Sequence, residues 1–194
     1  MDLFAPLYNS IGVNLFVASY RGYGLSDGTP TVTGMMRDSH RIFEGFKSVV
    51  DDCGFRKSYF VMGRSLGSFS AIEVALNYQD DINGLIVESG PANNLREYLR
   101  SLVPYDHPIW RDDYAFLNKV KLRSIFKPTL VIHGEQDSLI PVIEAKELYE
   151  NSAAKHKRLV VIPSADHGDL FIIGKKQYYG AIREFVKDHG SVEV

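Results

Sequence analysis

The chain has 194 residues, 45% of them hydrophobic and 24% charged, with a formal net charge of −2. That length suits one domain with a sizeable core, and the missing basic excess argues against a nucleic-acid binder. A lone cysteine, Cys53, excludes an internal disulfide, no apolar run reaches the roughly 18 residues of a membrane span, and the first residues carry no signal-peptide core. We expect a soluble cytoplasmic protein with no membrane span, and Cys53 as a small apolar residue near a helix end.

Taken in chain order, the first apolar run is Val13 to Ser19, expected as a strand, followed by the glycine-rich turn Tyr20-Arg21-Gly22-Tyr23-Gly24. From Thr33 to Asp52, Met36, Ile42, Phe43, Phe46, Val49 and Val50 recur at helical spacing. A second strand is expected over Ser58 to Met62, then a helix over Leu66 to Tyr78. Between them lies Gly63-Arg64-Ser65-Leu66-Gly67. A serine between two glycines, at an abrupt strand-to-helix turn, is the mechanical description of a nucleophile elbow. The turn strains the serine and lifts its hydroxyl clear of the sheet, and bulk at either flanking glycine is expected to collide with the neighbouring strand and helix.

Further strands are expected over Gly84 to Glu88, Thr129 to His133 and Arg158 to Ile162, and further helices over Val142 to Asn151 and Lys175 to Lys187. Near-continuous apolar strands alternating with helices indicate a mostly parallel α/β sheet covered on both faces. The segment 91–127 breaks the alternation. Arg96, Tyr98, Leu99, Leu102, Trp110, Tyr114 and Phe116 are scattered through it, and its length predicts a small helical cap over a site, inserted into a single domain spanning residues 1–194.

A serine hydroxyl needs an adjacent base, usually histidine, oriented by a third group. Of six histidines, His167 stands out, in a loop directly after the last apolar strand, where sites form in open α/β sheets. His40, His107, His156 and His189 read as structural or solvent-exposed. Asp137, just beyond another strand's carboxyl end, is the best orienting carboxylate, with Glu135 a weaker rival.

With Ser19 to Ser26, Gly63 to Gly67, His133 to Asp137 and Asp166-His167-Gly168 in this order, the chain resembles the α/β-hydrolase superfamily, in its serine-hydrolase branch of lipase, esterase and peptidase-like proteins. The resemblance implies Ser65 as nucleophile, Asp137 as acid, His167 as base, and the Leu66 N–H as one oxyanion donor, with His133 only structural. It implies hydrolysis of an ester, thioester or amide through an acyl-enzyme, a small-molecule acyl substrate, and no cofactor or metal. It also implies that the first three strands of the fold are missing, so that the chain is expected to be N-terminally truncated. Val13–Ser19 would then either border a gap in the sheet or shift to pair with the elbow strand. A catalytically silent fragment that binds a ligand or partner is the alternative.

Overall fold

A computed structural model of the chain describes residues 4–54, 58–94, 103–107 and 117–190. Its centre is a parallel sheet of β1 (Phe60–Arg64), β2 (Gly84–Glu88), β3 (Thr129–Gly134) and β4 (Lys157–Ile162), hydrogen-bonded in that order. Successive side chains of a strand point to opposite faces. Leu85, Val87 and Val131 therefore enter one core, and Ile86, Leu130 and Ile132 the other. Because both faces are covered, β2 and β3 are buried along their whole length, which is why they read as unbroken apolar runs.

The first face is covered by α2 (Val32–Asp52), α3 (Gly67–Asn77), the short α4 (Asn118–Leu122) and α5 (Ile143–Asn151), through residues such as Phe43, Ile72, Leu122 and Leu148. The second is covered by α1 (Ala5–Ser10), α6 (Leu170–Ile173) and α7 (Lys175–His189), through Tyr8, Leu170, Tyr178 and Ile182. Thr31 caps α2 by accepting the Gly34 N–H on its hydroxyl at 3.0 Å, satisfying one of the orphan donors of the first turn. Arg21 forms a two-pronged ion pair with Asp38 of α2. This fastens the turn before α2, where Gly22 has φ 74° and a Cβ would strike Pro30 at 2.6 Å.

Val13–Ser19 is not a strand. The segment has no ladder partner among the described residues, and it pairs with neither β1 nor another strand. Val13 and Leu15 pack on the second core, while Phe16 and Val17 are half exposed and Phe16 stacks against Phe46 of α2. A β-branched run signals side chains that suit a pleated surface, but a strand exists only where a neighbour takes its backbone hydrogen bonds. Cys53, at the carboxyl end of α2, is exposed rather than packed. The cap residues named above, Arg96 through Phe116, lie outside the described residues. Of segment 91–127, residues 91–94, the turn at 103–107, and α4 with its flanks are described. Val103 packs beside Val32, Met35, Phe69 and Ile140.

Candidate active site

Ser65 sits between β1 and α3 with φ 50°, a left-handed conformation that a non-glycine residue rarely adopts. Its N–H donates to the Glu88 carbonyl at 2.8 Å, which ties the turn to the neighbouring strand. The two flanking glycines are not equivalent. A Cβ on Gly63 would lie 2.4 Å from the Gly67 carbonyl oxygen and 2.6 Å from the Ala71 Cβ. A Cβ on Gly67 would meet only the Tyr20 hydroxyl, at 3.7 Å. The steric expectation is therefore met at Gly63, whereas at Gly67 a first carbon fits. Leu66 stands at the N-terminus of α3, where the helix dipole favours negative charge.

The loop after β4 brings His167 back to this turn. His167 Nε2 is 3.0 Å from Ser65 Oγ, and His167 Nδ1 is 2.9 Å from Asp137 Oδ2. An ionised carboxylate only accepts, so Nδ1 carries the proton and Nε2 is left with a lone pair facing the serine hydroxyl. The three residues therefore form a continuous array, from three different loops at the carboxyl ends of β1, β3 and β4.

Asp137 is buried, and every hydrogen bond it makes favours its charged form. Oδ1 accepts the N–H groups of Leu139 and Ile140 at 3.0 and 2.7 Å. Oδ2 accepts His167 and also faces His133 Nε2 at 3.2 Å. Burial pushes the Asp137 carboxyl up, but the bonds from His133, His167 and the Ile140 N–H outweigh it and hold it well below the ordinary carboxylate range. His133 is fully buried, and its Nε2 also lies 2.8 Å from the Ile140 carbonyl, so it carries the Nε2 proton and bridges the strand end to Asp137. Glu135, the weaker rival, points elsewhere: its Oε2 accepts the Ser164 N–H at 3.2 Å.

His40, His156 and His189 make contacts elsewhere. His40 on α2 contacts Tyr78 and Glu73, and His156 stacks on His189. No group of three or more His, Cys, Asp or Glu side chains is placed to hold a metal among the described residues.

The family model for serine aminopeptidase S33 matches residues 2–111, more than half of the chain and including the whole elbow. The chain belongs to this α/β-hydrolase family.

Relatives and solved structures match over most of the chain. The Saccharomyces cerevisiae membrane protein YNL320W is 26% identical over 99% of this chain and 66% of its own length. Pyrococcus furiosus esterase Pf2001 superposes with a TM-score of 0.77 at 23% identity, over 97% of this chain and 76% of that one. The Paleococcus ferrophilus monoacylglycerol lipase does so with a TM-score of 0.69 at 18% identity, over 97% and 90%. The likeness to the two solved structures is one of fold. The chain spans 54% of the length of one curated relative and 66% of another, less than two thirds in each case. No helix among the described residues is long and apolar enough to cross a membrane.

Three contacts around the candidate site were not legible in the sequence. Asp166, next to His167, accepts the Ser138 N–H at 2.7 Å, the Ser138 hydroxyl at 2.9 Å and the His167 N–H at 2.7 Å, so it staples the loop bearing Asp137 to the loop bearing His167. These bonds hold its carboxyl below the ordinary range, the Ser138 N–H foremost. Arg64 Nη2 donates to the His167 carbonyl at 2.7 Å. Arg64 Nε lies 3.1 Å from Glu88 Oε1. The one signal in the sequence was Glu88 itself, a charge closing an apolar run.

Proposed function

We propose that this chain is a serine hydrolase that cleaves an ester, thioester or amide through an acyl-enzyme. The Ser65–His167–Asp137 array, with contacts of 3.0 and 2.9 Å, carries this reading. Ser65 Oγ attacks the substrate carbonyl carbon while His167 Nε2 takes the hydroxyl proton. Asp137 stabilises the resulting imidazolium and does not itself take the proton. The oxyanion of the tetrahedral intermediate faces the Leu66 N–H at the start of α3, where charge develops within reach of a fixed donor. Collapse expels the alcohol, thiol or amine, protonated by His167. Water, deprotonated by His167, then attacks the acyl carbon and frees Ser65.

The substrate is a small acyl compound. A shallow depression beside Leu66, lined by Tyr20, Tyr23, Val32 and Met35 among others, supports an apolar group next to the reacting carbonyl. The family model is named for an aminopeptidase and the two solved neighbours for an esterase and a lipase, so both amide and ester probes are warranted. Of the segment expected as a cap, Val103 packs beside Val32 and Met35, which line this depression; the chain is proposed as a single domain.

Fluorophosphonate labelling read by intact mass, with Ser65→Ala as control, tests the assignment. One adduct that disappears in the variant is the expected result. Folded protein that takes no label overturns the proposal and favours a catalytically silent fragment.

A further inference from the structure

Beneath the elbow, side chains from four separate elements meet in a buried polar chain. Glu88, at the end of β2, is 2% exposed. Its Oε2 accepts the Tyr178 hydroxyl of α7 at 2.8 Å, and that hydroxyl lies 3.0 Å from the hydroxyl of Tyr8 on α1. Its Oε1 faces Arg64 Nε at 3.1 Å, and Arg64 reaches on to the His167 carbonyl at 2.7 Å. An ionised carboxylate only accepts, so the Tyr178 proton points at Glu88 and the Tyr178 oxygen is left to accept from Tyr8.

A buried ion pair is weak evidence for stability, because desolvating the charges offsets their attraction. Burial pushes the Glu88 carboxyl up, and Arg64 and Tyr178 only partly counter it. What the carboxylate does supply is an opposite charge at ion-pair distance from a guanidinium whose side chain is otherwise 43% exposed. Glu88 Oε1 takes no aligned hydrogen bond among the described residues, so the hold is electrostatic, while the guanidinium's other arm donates to the His167 carbonyl. Glu88 also accepts the Ser65 N–H on its own carbonyl. The nucleophile and the histidine facing it are thus both referenced to one residue: Ser65 through the main chain of Glu88, and His167 through its side chain and Arg64.

We infer that Arg64 and Glu88 are positioning residues: the buried carboxylate fixes the guanidinium, and the guanidinium holds the His167 main chain so that its ring stays between Ser65 and Asp137. The inference rests on the proposed role of His167 as the base. Charged groups facing His167 are then Asp137 from the loop after β3, Asp166 from its own loop, Arg64 from β1 and Glu88 from β2, the last two forming a neutral pair.

The test compares Arg64→Met, Glu88→Gln and the double variant by kcat and KM on p-nitrophenyl butyrate, and by the far-downfield proton resonance of the His167 Nδ1–H. Misplacing a reacting group by about 1 Å costs on the order of 10²-fold, so each single variant should lose between about tenfold and about 10²-fold in kcat. KM should stay within about twofold, because substrate binding is untouched. The Nδ1–H resonance should broaden or shift in both, and the double variant should be no worse than the poorer single one, as expected of two residues acting as a unit. Wild-type kcat with an unchanged resonance, or losses that multiply in the double variant, overturns the inference. A wild-type protein that hydrolyses nothing overturns the hydrolase proposal instead, and the resonance still decides whether the pair holds His167.

Discussion

Between Gly63 and Ala71 there is no room for one more carbon: a Cβ at position 63 would lie 2.6 Å from the Ala71 Cβ, and closer still to the Gly67 carbonyl. β1 and α3 meet at the elbow at a separation that only glycine permits, and this approach accompanies the left-handed turn at Ser65. Backbone atoms cannot rotate out of the way, so Gly63→Ala should cost about 1–3 kcal/mol of stability, as overpacking does. Gly67→Ala should be neutral or stabilising by up to about 1 kcal/mol, because position 67 is helical. Equal shifts of the two melting temperatures would show that this steric account of the elbow is wrong.

Asp137→Asn should keep the fold and lower kcat by up to about 10⁴, since an amide in place of the carboxylate leaves His167 in the wrong tautomer for accepting the serine proton. Glu135→Gln, whose partner is the Ser164 N–H, should keep wild-type turnover. The opposite ranking in steady-state kinetics would transfer the acid role to Glu135.

The loop staple predicts a graded series. Asp166→Ala removes the acceptor for both Ser138 donors and for the His167 N–H, and should lower kcat by roughly tenfold to 10²-fold through misalignment. Ser138→Ala keeps its main-chain bond to Asp166 and should lose less. Were Ser138→Ala the more damaged of the two, the hydroxyl would have a role of its own beyond the staple.

Two buried carboxylates should act on stability with opposite signs. The folded-state carboxyl of Asp137 is held below its unfolded value. Its contribution is present above the unfolded range, about pH 4, and is lost as pH falls toward the folded value. The folded-state carboxyl of Glu88 is raised by burial, so its contribution is greatest in acid and is lost as pH rises from about 4 through the folded value. Melting curves across this range should therefore show Glu88→Gln gaining on the wild type toward neutral pH, while Asp137→Asn closes on it in acid. A constant offset for either variant would remove that residue from the account.

Much of the site was legible because each of its three groups carries a local signature. Ser65 lies between glycines at a strand–helix turn, and Asp137 and His167 lie in short polar loops just past apolar strands. Strand β2 was legible to its ends, since both faces are buried and Gly84 and Glu88 punctuate the run. For β1 the apolar run stops at Met62, yet the ladder continues through Gly63 and Arg64 because Val87 and Glu88 stand opposite them. Val13–Ser19 shows the converse, side chains suited to a strand with no ladder to join. The Arg64–Glu88 pair was illegible because its members come together only through the sheet register. His133, which the resemblance gives as a structural residue, does lie buried at the end of β3, and its ring also reaches Asp137.

Asp137 is aimed by main chain rather than by neighbouring side chains on one of its two oxygens. Asp137 Oδ1 is filled by the amides of Leu139 and Ile140, and an amide is the same whatever residue bears it. The identity of residue 139, which packs against the buried cluster of Val32, Met35, Phe69 and Ile140, is therefore uncoupled from the orientation of the carboxylate. Sequence drift at that position can reshape the wall beside the nucleophile and leave the proton-handling array in place, so specificity in this fold has a route to diversify that does not pass through its chemistry.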